Sequence, residues 1–378
     1  MSPVLNQKLD YLDGMRALMA FNVIICHFVC VYYPTMYFAG YAESSFQGLT
    51  IFSTTPLSVL VNGNIAVMYF FALTGFLVGL NVFTKQRSEQ YIEKKVIMRY
   101  CRLLPVVLVA TLFAFVLMVL HLNKHLLITN PEVNRSFLEG YCNFTPTLTS
   151  LISNIFYSPF LINSDYIGPF WTIKFEFWGY ILTLIAASVL KHSKWRRVWY
   201  IALGLLISYH LDGRYAVFIM GLFMADLIFN SNPTILNGLY HRWLDNKYFL
   251  MACFAVSVYF SCCPLQPSAF WAKFYFLSQT LMRGFGISLF IFVAVNSKII
   301  QKILSIKPLV ILGNISYEVY ALHWPIMLSV EAGLFLVFEK YLSYNAAAIF
   351  AFVITVPIIY LISFFVNYFI KKLTTVRL

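Results

Sequence analysis

Arg16 and His27 are ionisable residues in the first long apolar run of the chain, residues 15–33, and they lie eleven positions apart. An ionisable side chain inside a membrane helix is costly unless it faces a polar interior, so each is a candidate functional residue. At roughly 100° per residue, eleven residues make three turns plus about 20°, so both side chains share one helix face, about 16 Å apart. The pattern predicts a cation near a membrane surface and an imidazole near the bilayer middle. The alternative interpretation is a snorkelling Arg and a structural interior His.

A carboxylate is predicted at a similar depth in another helix. Glu176 lies in the run 171–178, about 15 Å along its helix by helical rise. A carboxylate beside an imidazole orients the ring and stabilises its protonated form, as general-base catalysis requires. We therefore predict His27 as the base and Glu176 as its catalytic partner. Lys174 is an alternative partner of Glu176, although positions i and i+2 do not face each other on a helix.

Arg99 and Arg102 open the third apolar run and, at positions i and i+3, share a helix face. Guanidinium groups bind phosphate bidentately, so this pair predicts a binding site for an anionic, phosphate-bearing molecule at the membrane surface. The alternative is that both residues only anchor the helix at the interface.

Four further residues are weaker candidates. We assign Arg283, His323 and Trp171 to substrate binding, with Glu176 as one expected partner of Arg283. The alternative for Arg283 and His323 is a polar tether between helices. Cys30 lies three residues after His27, but a Cys in a membrane helix ordinarily packs as a small apolar residue.

The composition predicts an all-α integral membrane protein. The chain has 378 residues, of which 60% are hydrophobic and only 11% charged, whereas soluble domains have about 25% charged residues. Apolar stretches of about 20 residues indicate transmembrane helices. We predict about ten: 15–33, 57–83, 97–122, 166–190, 197–210, 215–230, 248–262, 274–296, 308–330 and 345–370. The segment 149–162 is a candidate interfacial or re-entrant piece.

The net charge is +12, and the Lys and Arg residues are distributed along the chain in a pattern typical of membrane proteins. With ten spans, most Lys and Arg residues fall on the side of the two termini, which predicts cytoplasmic N and C termini. Such a basic excess requires no nucleic-acid partner. Nothing indicates a cleavable signal peptide, and we expect one membrane-embedded domain over residues 1–378, with no appended extracytoplasmic domain.

Together these residues predict an acyl transfer. A phosphate-bearing donor would dock on the Arg pair, and His27 would deprotonate a hydroxyl that attacks the donor's carbonyl. The competing hypothesis is a proton-coupled transporter or flippase with His27 and Glu176 as its proton relay. The Arg99/Arg102 pair favours the enzyme, because a relay needs no phosphate site.

Five segments, in this order along the chain, resemble motifs of the acyltransferase family 3 membrane O-acyltransferases. They are LDGMR at 12–16 with His27, YFFALTGF at 69–76, Arg99-x-x-Arg102 with Pro105, WTIKFE at 171–176, and LGNISY to LHWP at 312–325.

The resemblance implies transfer of an acetyl group from cytoplasmic acetyl-CoA to a sugar hydroxyl. The acceptor would be a lipopolysaccharide O-antigen, capsule, exopolysaccharide or lipid-linked glycan, at a bacterial inner membrane and without a metal. His27 becomes the base and forms the essential pair with Arg16, while Arg99 and Arg102, with Arg16, bind the donor. Glu176 takes the first position of a Glu-Glu pair, whose second position is Phe177 in this chain.

Overall fold

A computed structural model describes residues 9–38, 46–84, 90–230, 246–266, 270, 273 and 278–375. Within these ranges the secondary structure is helical and contains no strand. Five basic residues that contributed to the predicted charge distribution lie outside the described residues: Lys8, Lys85, Arg87, Arg242 and Arg377.

The α-helices follow one another along the chain. Up to residue 190 they are α1 (Asp10–Tyr32), α2 (Thr50–Thr54), α3 (Gly63–Thr84), α4 (Gln90–Val119), α5 (Arg135–Glu139), α6 (Leu148–Phe156), α7 (Ser158–Leu161) and α8 (Trp171–Leu190). The others are α9 (Arg196–His210), α10 (Gly213–Phe229), α11 (Lys247–Ser261), α12 (Gln279–Asn296), α13 (Lys298–Leu304), α14 (Lys307–Gly313), α15 (Ser316–Ile326), α16 (Ala332–Phe338) and α17 (Tyr344–Thr375). A π-helical turn, Met327–Glu331, joins α15 to α16.

Seven of the described helical segments are long and apolar enough to cross a membrane. They are Asp10–Tyr32, Gly63–Thr84, Glu93–Val119, Gly168–Leu190, Gln279–Asn296, Ser316–Phe338 and Tyr344–Leu373. The protein is therefore an all-α, multi-pass membrane protein. The predicted fifth, sixth and seventh spans correspond to α9, α10 and α11, which have 15, 17 and 15 residues.

Several predicted spans differ from the structure in their boundaries; the third, for example, begins at Gln90 rather than at 97. Residues 308–330 are not one helix, because α14 ends at Gly313 and the spanning helix runs from Ser316 to Phe338. The second span begins at Gly63 rather than at 57, because Pro56 opens a separate 3-10 turn, Pro56–Leu60. The segment 149–162 forms α6 and α7, which at nine and four residues are too short to span a bilayer.

The helices differ in how deeply they are buried. Of the apolar window of α3, 72% is buried, compared with 22% for α17, so α3 is central and α17 peripheral. Buried residues of α1 belong to two apolar clusters, one shared with α4, α15 and α17 and the other with α3, α10 and α12. The helix that carries Arg16 and His27 is thus held on several sides.

The N-terminal end of α1 contacts the α13–α14 corner backbone to backbone. A Cβ at Gly14 would overlap the carbonyl of Leu304, and a Cβ at Gly313 would overlap the carbonyl of Asp13. Small residues allow such close approach between membrane helices. This contact fixes the turn of α1 that bears Asp13 and Arg16.

Candidate functional site

The side chains of His27 and His323 meet in the helix bundle. His27 projects from α1 and His323 from α15, and His27 Nδ1 lies 3.0 Å from His323 Nε2. The ring centroids are 5.0 Å apart. His323 is fully buried, whereas His27 is partly exposed. The chain therefore brings together two of the predicted site residues that are 296 positions apart.

We assign the tautomers of this pair from its hydrogen bonds. His323 Nδ1 lies 3.2 Å from the carbonyl oxygen of Val319, which can only accept, so Nδ1 donates. A neutral imidazole carries one N–H, and His323 Nε2 is therefore an acceptor. With its proton on Nδ1, His27 donates to this acceptor and keeps a lone pair on Nε2; the ring also hydrogen-bonds the Val23 backbone. The partly exposed imidazole is thereby oriented as a proton acceptor.

Aromatic side chains cover His27. The Trp324 ring lies 4.8 Å and the Phe137 ring 6.5 Å from the imidazole, and Tyr141 packs edge-on against Trp324 at 4.9 Å. Phe137 and Tyr141 belong to the loop segment between α4 and α8, which His125 stabilises by donating from Nε2 to the Tyr141 carbonyl at 3.0 Å. Burial lowers the pKa of His125. The loop thus forms part of the wall of the site.

A second group of charged residues includes Glu176. Its Oε2 atom forms an ion pair with Arg99 and accepts a hydrogen bond of 3.1 Å from Thr74 Oγ1. The side chain that hydrogen-bonds the His27 ring is thus His323, and not Glu176 as the sequence analysis expected. The cause is the packing of α4 against α8, which places a guanidinium beside the carboxylate, and a buried charge is stable only when paired.

Arg16 lies at the same end of the bundle. Its Nη1 atom is 2.5 Å from Asp13 Oδ1, and Arg16 also interacts electrostatically with Glu176 and Arg102. Arg102 is exposed and forms no ion pair with the described residues. Three guanidiniums and two carboxylates leave the group positively charged. We call Arg16, Arg99 and Arg102 the arginine cluster.

The arginine cluster and the His pair lie near opposite ends of α1. Arg16 is in the second turn of the helix and His27 is close to its last turn. Because α1 is continuous from Asp10 to Tyr32, helical rise separates the two residues by about 16 Å. A long ligand that bound the cluster through phosphates would reach His27 with its other end.

A comparison with known protein families adds to this geometry. The model of acyltransferase family 3, described as an acyltransferase domain, matches residues 9–364. The chain belongs to this family. The predicted membership of acyltransferase family 3 is thereby confirmed, and the chain is a membrane acyltransferase. No curated protein and no solved structure matches it.

Two predicted substrate-binding residues of this acyltransferase have other contacts. Arg283 is buried and donates from Nη2 to the carbonyls of Cys263 and Pro264, at 3.0 and 3.1 Å. The expected pairing of Arg283 with Glu176 is not seen, since Glu176 binds Arg99. The Trp171 ring lies under Arg214, whose Cζ is 4.5 Å from the ring centroid.

The residues around Glu176 also make contacts of their own. Lys174 lies over the ring of Phe175, with Nζ 5.3 Å from its centroid. Phe177, at the position of the second Glu of the family motif, packs against Tyr100 and Phe160 at 6.2 and 5.9 Å. An aromatic cluster therefore replaces the second carboxylate.

Sequence reasoning missed three residues of the site. Asp13 is the partner of Arg16, and its position three residues earlier on the same helix was the available signal. Trp324 packs against His27, and Glu331 lines a cavity next to Trp324; Glu331 was overlooked because the predicted span ended at residue 330. Among the described residues, no three His, Cys, Asp or Glu side chains form a group that could hold a metal ion.

Proposed function

We propose that this acyltransferase transfers an acetyl group from acetyl-CoA to a sugar hydroxyl, with His27 as the general base. The acceptor is a cell-surface or lipid-linked glycan, such as a lipopolysaccharide O-antigen, capsule or exopolysaccharide. The setting is a bacterial inner membrane, with both termini cytoplasmic. The observation that supports the proposal is the His27–His323 hydrogen bond, because with His27 Nδ1 as its donor, Nε2 keeps the lone pair that takes a proton.

The reaction uses the imidazole twice. His27 Nε2 takes the proton of the sugar hydroxyl as its oxygen attacks the thioester carbonyl. The leaving thiolate of coenzyme A then receives that proton from the imidazolium. His323 Nε2 accepts from His27 Nδ1–H throughout, so it orients the ring and stabilises the charged form without gaining a proton.

The arginine cluster is suited to the phosphates of coenzyme A. Arg102 is exposed and has its guanidinium open to a ligand, whereas Arg99 is held by Glu176. We assign Arg102 and Arg16 to phosphate contact, and Glu176 to positioning Arg99. The extended pantetheine arm spans the distance of about 16 Å along α1 that helical rise sets between the cluster and His27.

The first test is mass spectrometry of surface glycans from cells that express wild type or His27→Ala. We expect one added acetyl group in the wild type and none in the variant. The matched control is His210→Ala, because His210 is an exposed histidine at the end of α9. If cells that express His27→Ala still produced the acetylated glycan, His27 would not be the base.

A second test addresses the donor site. Arg102→Ala should raise the KM for acetyl-CoA and leave the KM for the acceptor unchanged. Lys94→Ala is the control, because Lys94 is an exposed cation on the same helix. If both substitutions raised the KM for acetyl-CoA equally, Arg102 would contribute only to the general positive charge of the surface and not to a specific donor site.

A further inference from the structure

A small cavity lies behind the aromatic wall of His27. It is bounded by the end of α1, the loop after α4 and the π-helical turn, and its lining includes Tyr32, Leu138, Trp324 and Glu331. The centres of water molecules can occupy about 10 Å³ of it. A space of roughly this size holds one water when polar groups line it.

Two of the lining residues have polar atoms that lack a partner. Trp324 Nε1 and Glu331 Oε2 are both buried and form no hydrogen bond with the described residues. The two residues are 0% and 1% exposed. A buried polar atom without a partner costs about 1–3 kcal/mol, so such atoms are ordinarily satisfied by protein or by ordered water.

The local helix geometry carries Glu331 into this position. Pro325 interrupts the hydrogen bonding of α15, and Met327–Glu331 form a π-helical turn. The hydroxyl of Ser329 satisfies the Pro325 carbonyl at 2.7 Å. Glu331 Oε2 has no hydrogen-bond partner among the described residues, and Glu331 is one of the residues that line the cavity. Short π-helical segments of this kind occur frequently at functional sites.

We propose that this cavity is a built water site, in which one water accepts from Trp324 Nε1–H and hydrogen-bonds Glu331 Oε2. The water satisfies both unpartnered atoms and fixes the plane of the indole. Because that indole lies 4.8 Å from the His27 imidazole, Glu331 acts as a positioning residue for the wall of the site. Its effect on catalysis rests on the proposed function of His27, whereas the water site does not.

The water site is tested by ¹⁹F NMR of the full chain labelled with 5-fluorotryptophan in detergent. Trp324→Phe identifies the Trp324 resonance among the seven tryptophans. Glu331→Leu should move this resonance, because it fills the cavity and expels the water. Glu331→Gln keeps an oxygen in place and should leave the resonance near its wild-type position. Glu339→Leu, eight residues further along, is the control and should not move it.

The positioning role is tested by kinetics with the same variants. Glu331→Leu should lower kcat about fivefold, the rate equivalent of one neutral hydrogen bond, without a change in the KM for acetyl-CoA. In the double variant Glu331→Leu/Trp324→Phe, the loss of kcat should be little larger than in either single variant, because each substitution alone removes the same water bridge. Glu331→Gln should restore kcat.

The outcomes test the water site and the positioning role of Glu331 separately. An unmoved Trp324 resonance in Glu331→Leu overturns the water site, whatever the enzyme does. A moved resonance with full multiplicative loss of kcat in the double variant overturns the positioning role. If the wild type transfers no acetyl group, the proposed function fails, and the NMR result still judges the water site.

Discussion

Substitution of His323 tests the geometry of the His pair most directly. His323→Leu removes the acceptor that lies 3.0 Å from His27 Nδ1 and places an apolar side chain in this fully buried position. We expect kcat to fall while the KM for acetyl-CoA stays constant, because the arginine cluster lies about 16 Å away by helical rise.

The magnitude follows from the charge that the hydrogen bond carries. In the transition state His27 becomes an imidazolium, and a hydrogen bond to a charged group contributes about 1.5–3 kcal/mol. At about 1.4 kcal/mol per tenfold, kcat should fall roughly 10- to 150-fold. Loss of the base itself in His27→Ala should cost about 10²- to 10⁴-fold.

The assay is acetyl transfer from acetyl-CoA by purified enzyme at saturating acceptor. His323→Gln offers an amide oxygen as a substitute acceptor and should recover part of the rate. The double variant His27→Ala/His323→Leu should be no slower than His27→Ala alone, because His323 acts only through His27. An unchanged kcat in His323→Leu, with thermal unfolding like that of wild type, would refute the assigned tautomers.

Three further predictions concern the parts of the protein that hold the site. Gly313→Ala should destabilise the protein by about 1–3 kcal/mol, because the added Cβ overlaps the Asp13 carbonyl; Gly204→Ala, where nothing lies within 4 Å, should not lower the Tm in detergent. Burial lowers the pKa of His125, so its contribution to stability is complete above its unfolded pKa of about 6.5 and declines as the pH falls below that value. The Tm of the wild type should therefore fall more than that of His125→Gln when the pH is lowered from 7.5 to 5.5, and an equal fall in both would contradict this. Burial raises the pKa of the Cys142 thiol to about 12; it should resist iodoacetamide at pH 8 until the protein unfolds, and labelling of the folded protein by mass spectrometry would oppose that expectation.

Local sequence patterns predicted the parts of the site that one helix determines. The eleven-residue spacing of Arg16 and His27 lies within a single α-helix, as its apolar run indicated. Their shared face follows from helix geometry alone. The same reasoning placed Arg99 and Arg102 together on α4.

Contacts between helices could not be predicted in this way. Glu176 was expected beside His27 because both were judged to be at middle depth, but depth does not determine which helices are neighbours. The packing of α15 against α1 supplies His323 to His27, and the packing of α4 against α8 supplies Arg99 to Glu176. A single sequence carries no periodic signal for such pairings.

Helix ends were a second source of error. The predicted ninth span ended at residue 330, whereas the helix continues to Phe338 through a π-helical turn that hydropathy does not reveal. Glu331 therefore appeared to lie outside the membrane, and the rule that marks buried ionisable residues was not applied to it. The ten predicted spans and the seven long helices differ because α9, α10 and α11 are shorter than a typical span.

The aromatic cover of His27 bears on the chemical outcome of the proposed reaction. A base that activates a sugar hydroxyl activates water equally well, and an activated thioester is open to both. Phe137, from the loop, and Trp324, from α15, both pack against the imidazole, and closing a site against water suppresses hydrolysis of reactive acyl groups. If His27 is the base, this aromatic contact would favour transfer to the sugar over hydrolysis of the thioester.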